Sequence, residues 1–159
     1  MLFSQHQAAP LTGELRYIKS DHSFLYKPEF SELNRRTGGG SRTSLVADTL
    51  QLEVSVDTGE LLFVWGYWPL ESCKETSIKF PKYRSGRVFV EDDEGLEDSV
   101  SVPLPSDEWK TNFDPQSGVV RIFSPYLPSS TFTKIAHDVV IGLSTIGPGE
   151  FFLTPKFDE

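Results

Sequence analysis

The chain has 159 residues, the size of one compact domain. Its 15 Lys and Arg against 23 Asp and Glu give a formal charge of −8, the wrong sign for a protein that would hold nucleic acid through clustered cations. Hydrophobic residues at 38% and aromatics at 13% supply enough apolar matter for a core, which excludes disorder of the whole chain.

Residues 1–10 show no cationic stretch followed by an apolar one, so no targeting signal is expected there. Residues 14–19 alternate and predict a short strand. Residues 28–36 predict a short helix, with Pro28 at its start, Phe30 and Leu33 on one side, and Arg35 and Arg36 before glycines. Residues 37–44 read as a flexible Gly-rich loop, so residues 1–44 are expected to form an N-terminal arm and residues 45–159 a β-rich body of the same domain. Three arginines near three glycines resemble a phosphate loop only superficially, because the stretch has no lysine.

Residues 49–67 predict a hairpin. Leu50, Leu52, Val54 and Val56 alternate with polar residues, Asp57-Thr58-Gly59 turns, and Leu61, Phe63, Trp65 and Tyr67 share one face on the return. On this reading Trp65 is core, and Tyr67 and Trp68 at the strand end are candidates for an interface anchor or a stacking platform. The apolar run 61–70, broken by Gly66 and Pro69, is too short to span a membrane.

Further strands are expected at 76–80, 87–91, 99–102, 119–124, 133–143 and 150–157, separated by proline, glycine and acidic turns. The fold class that follows is mainly β: a single antiparallel domain of six to nine strands or so, as a twisted meander, sandwich or partly open barrel, with at most one or two short helices. An edge strand within 150–157, carrying Phe151, Phe152 and Phe157, offers a route to a homodimer.

The chemistry-bearing residues are sparse. Cys73 alone forms no intramolecular disulfide or multi-cysteine metal site, fits a reducing compartment such as the cytoplasm, and has no histidine beside it to act as base. His6, His22 and His137 have no metal-box spacing, no serine sits in a nucleophile elbow, and no cofactor motif is present. Glu71, Asp107, Glu108 and Asp114 lie near aromatic residues, but no spacing selects two of them as a hydrolytic pair. The acidic segment Glu91, Asp92, Asp93, Glu94, Glu97 and Asp98 lacks the ligand alternation of a calcium loop and instead suits recognition of a basic partner.

The sequence therefore predicts a non-catalytic protein-binding domain without a cofactor, whose sharpest form is an immunity-type inhibitor of a basic toxin or nuclease. The alternatives are a small-ligand or carbohydrate-binding domain and a small hydrolase with a carboxylate pair.

Overall fold

The structure is a computed structural model that describes residues 1–91 and 96–158. Along the chain the strands are β1 (Phe3–Gln7), β2 (Gly13–Ile18), β3 (Ser23–Pro28), β4 (Arg42–Ala47), β5 (Leu50–Ser55), β6 (Leu61–Tyr67), β7 (Lys74–Glu75), β8 (Arg84–Val90), β9 (Val102–Pro103), β10 (Lys110–Phe113), β11 (Val120–Phe123), β12 (Thr131–Ala136), β13 (Val139–Ser144), β14 (Gly147–Leu153) and β15 (Lys156–Asp158). One helix, α1 (Phe30–Thr37), follows β3. The protein is mainly β, as its turn-punctuated apolar runs predict, with more and shorter strands than the six to nine expected.

Two sheets carry the fold. The eight-stranded sheet has the order β1-β8-β12-β13-β14-β11-β10-β7, and the seven-stranded sheet β15-β2-β3-β6-β5-β4-β9. Most pairings are antiparallel, but β7–β10, β8–β12, β15–β2 and β4–β9 are parallel, so both sheets are mixed. Residues 1–44 contribute to both sheets: β1 pairs with β8, while β2 and β3 pair with each other. Leu11, Leu15 and Phe24 are buried in the same core as Val88, Ile122, Ile141 and Phe151 of the other sheet.

The α1 helix forms within the stretch the sequence assigns to it, but it begins at Phe30, and Pro28 ends β3 instead of opening the helix. The Glu29 carboxylate accepts the backbone N–H groups of Ser31 (3.2 Å) and Glu32 (2.8 Å), and Gly38, at φ 73°, closes the last turn. Leu33 anchors the helix in the core, while Phe30 stays exposed. Arg36 and Arg87 both reach the buried Glu60 carboxylate, Arg36 Nη1 at 3.2 Å and Arg87 Nη2 at 2.6 Å, which ties α1 and β8 to the start of β6.

Four expected strands differ in the structure. Of residues 99–102 only Val102 lies in a strand, β9, because Ser99 turns at φ 61° and the Val100 N–H bonds back to the Glu97 carbonyl at 3.1 Å. Residues 133–143 are two strands, because His137-Asp138 makes a tight turn with Asp138 at φ 69°, a left-handed conformation that aspartate tolerates. Residues 76–80 form no strand. After β7 the chain leaves the sheet edge and crosses its outer face as a strap, residues 76–83, with the Thr76 N–H bonded to the Phe113 carbonyl and the Ile78 N–H to Asp114 Oδ2. Of residues 150–157, the part carrying Phe151 and Phe152 lies in β14, buried between β13 and β11; only β15, with Phe157, is an edge.

Candidate functional site

Strand parity decides which side chains reach solvent on the seven-stranded sheet. In β6 the register with β5 slips by one residue between Glu53 and Val54: Val54 opposes Leu61, but Glu53 opposes Phe63. A one-residue slip exchanges the two faces of a strand. Beyond it, Val64 and Trp68 point inward while Trp65 and Tyr67 point out.

The two tryptophans are thus the reverse of the sequence reading. Trp65, expected in the core, is 41% exposed, and Trp68, expected at the surface, is only 6% exposed. Trp68 Nε1 donates to Thr111 Oγ1 at 2.7 Å, and its carbonyl accepts the Tyr17 hydroxyl at 2.8 Å. A buried ring with its N–H satisfied is no stacking platform. Tyr67 is 51% exposed and stays in the site.

Trp65 and Tyr67 share their face with Leu25 of β3, which is 44% exposed and alternates with the buried Phe24 and Tyr26. The row is held in place from beside it. Glu53 accepts Trp65 Nε1 at 3.1 Å through one carboxylate oxygen and Arg42 Nε at 3.0 Å through the other, fixing the indole ring against its neighbour strand. Gly66, at φ 122°, lies between the two exposed rings, where a Cβ would meet the Thr49 carbonyl at 2.7 Å. Only glycine permits that approach.

At the Tyr67 end three turns converge. The Thr49 hydroxyl donates to the Tyr67 carbonyl, the Trp68 N–H bonds the His22 carbonyl at 2.7 Å, and His22 Nε2 lies 3.5 Å from Glu71 Oε1 with its ring edge-on to Tyr67. These turns expose the carboxylates Asp21, Asp48 and Glu71 beside one lysine, Lys19.

Past His22 the surface drops into a cleft of about 520 Å³ between the edges of the two sheets. Its floor is Leu70 with the rings of Tyr17, Phe113 and Phe157, the Phe157 ring lying 5.7 Å from Tyr17 and 5.6 Å from Phe113, and Glu71 and Glu75 also line it. Burial pushes the Tyr17 phenol above its ordinary value, and the nearby Glu71 adds to the shift. Cys73 also lines the cleft, but its Sγ donates to the Leu70 carbonyl at 2.8 Å and burial raises its thiol, which keeps it protonated at neutral pH. No local pattern announces this cleft, because its walls come from four separated stretches of the chain.

The acidic segment lies elsewhere. Glu91, Glu97 and Asp98 are exposed; Glu91 accepts the Ser4 hydroxyl, and Asp98 accepts the Ser99 hydroxyl at 3.2 Å. Asp92, Asp93 and Glu94 fall outside the described residues. The Ser99 N–H bonds the Arg42 carbonyl, which sets Glu97 and Asp98 at the far side of the aromatic face. Of the four carboxylates considered for hydrolysis, Asp114 is committed to structure: it accepts the N–H groups of Ile78, Gln116 and Ser117, and these bonds hold its carboxyl below the usual aspartate value. Among the described residues, no three His, Cys, Asp or Glu side chains gather as a metal site, and no helix is long and apolar enough to cross a membrane.

No protein-family model, no curated protein and no solved structure matches this chain.

Proposed function

We propose that this protein is a non-catalytic binding domain whose partner is a basic protein, with Trp65 and Tyr67 as its anchors. The observation that carries this reading is the aromatic row on the outer face of the seven-stranded sheet, which no part of the described chain covers and which ends among Asp21, Asp48 and Glu71. Large rings held rigid beside satisfied polar groups lose little freedom on binding and make effective anchors. The carboxylates supply the complementary charge, and the net charge of −8 steers a basic partner toward the protein from a distance. The adjoining cleft completes the surface: an aromatic floor with Glu71 and Glu75 above it accepts one arginine or lysine side chain of that partner.

In its most specific form the partner is a cytoplasmic nuclease or toxin, and the carboxylates occupy the surface on which that partner holds phosphates. The test is affinity capture with the wild-type protein and with the double variant Trp65→Ala/Tyr67→Ala, each at low and at high salt. A partner retained by the wild type at low salt, released at high salt and missed by the variant supports the reading. Equal recovery on both proteins, or recovery indifferent to salt, overturns it.

A further inference from the structure

A second cleft, of about 640 Å³, opens where the strap ends and β8 begins. Lys82, Tyr83 and Arg84 form one wall, and Ser130, Thr131 and Phe132, at the start of β12, form the other. Its size falls in the range of small-molecule sites, roughly 300–1,000 Å³.

What sets this cleft apart is unanswered positive charge. The chain has an excess of carboxylates, and Arg16, Arg36, Arg42, Arg87 and Arg121 each meet one at hydrogen-bonding distance. Among the described residues neither Lys82 nor Arg84 has such a partner, although both line one cavity. A third cation, Lys134, sits with its Nζ 6.0 Å from the centre of the Tyr83 ring. Asp138, which lines the adjoining surface with Tyr83 and Lys134, directs Oδ2 to the Leu15 N–H at 3.4 Å.

The hydroxyl groups agree in sign. Thr131 Oγ1 accepts Gln5 Nε2 at 2.9 Å, which leaves its own hydrogen to donate into the cleft. The Ser130 hydroxyl is spent on the Leu143 carbonyl at 3.1 Å. Two cations and a hydroxyl donor make an oxyanion site. Above it Tyr83 is 43% exposed, its ring braced by Phe80 at 5.8 Å, and Phe132 is braced by Phe152 at 5.9 Å, so both present fixed apolar surfaces.

We infer that this cleft binds a small aryl phosphate monoester, with the phosphate between Lys82 and Arg84 and the ring against Tyr83 and Phe132. The site is independent of the aromatic row on the other sheet and does not rest on the protein-binding reading.

Titration of the wild-type protein with phenyl phosphate, followed by amide chemical shifts, tests it, with inorganic phosphate and phenol as separate probes. The expected result is saturable shifts at Arg84, Thr131 and Phe132, weaker binding of inorganic phosphate, no binding of phenol, and a loss of at least tenfold in affinity for K82Q/R84Q with its circular dichroism unchanged. Should that variant fail to fold, the wild-type shift map decides. Shifts that do not saturate, that map to the cleft lined by Glu71 and Glu75, that phenol reproduces, or that survive in a folded K82Q/R84Q overturn the inference.

Discussion

The outer faces of the two sheets carry similar residues and meet different fates. On the eight-stranded sheet Val119, Val140 and Phe152 point away from the main core, yet they are buried, because Ile78 packs over them and Phe80 sits 5.4 Å from the Phe152 ring. Arg121 completes that cover, its guanidinium 3.8 Å from the Phe123 ring and its Nε bonded to Glu150 at 2.5 Å. On the seven-stranded sheet Leu25, Trp65 and Tyr67 are exposed, with no strap over them among the described residues. That contrast between a covered and an uncovered apolar face is the physical basis for proposing recognition at Trp65 and Tyr67.

The sharpest way to break the contrast is to truncate one ring on each face. Phe152→Ala is expected to cost about 3–5 kcal/mol of stability, as removal of a buried aromatic side chain does, whereas Trp65→Ala costs under about 1 kcal/mol. Urea unfolding followed by circular dichroism measures both. Similar losses for the two would mean that Trp65 is a structural residue and that the bare face is not spare.

Both faces hang from one core, and Glu60 fastens it. Glu60→Gln leaves Arg36 and Arg87 without their shared carboxylate in a buried setting, for which a loss of about 3 kcal/mol is expected. The same unfolding experiment reads it, and a loss below 1 kcal/mol would show that water relieves the two arginines.

A smaller effect is expected in the strap's response to acid. Asp114 is held below the usual aspartate value first by the Ile78 N–H, so its contribution is fully present above the unfolded value of about 3.9 and is lost as pH falls through the depressed folded value. Hydrogen exchange at the Ile78 amide should therefore accelerate steeply below pH 4 in the wild type and show no such step in Asp114→Asn. A step of equal size in the variant would place the acid sensitivity elsewhere.

Much of the fold was legible in the sequence, and the failures have local causes. The hairpin of β5 and β6 was readable because alternation and the Asp57-Thr58-Gly59 turn agree. The faces of Trp65 and Trp68 were not, because the extra residue in β6 has no turn-forming signature and inverts everything after it. The turn at His137-Asp138 was hidden for a related reason: it contains neither glycine nor proline and joins two β-branched strands. Tyr67, a candidate from the sequence, is exposed in the structure, but its neighbours Leu25 and His22 reach it through pairing of β3 with β6 across more than forty residues, which no local pattern encodes. The cleft beside it and the one at Lys82 and Arg84 are likewise products of topology.

The most direct test of the account is the affinity of the captured partner for the wild-type protein and for Tyr67→Ala, measured by titration calorimetry at one fixed salt concentration. An anchor at the centre of an interface is worth about 2 kcal/mol or more, so a loss of roughly 30-fold in affinity with folding unchanged is expected. An affinity that Tyr67→Ala leaves within twofold of the wild type would contradict it.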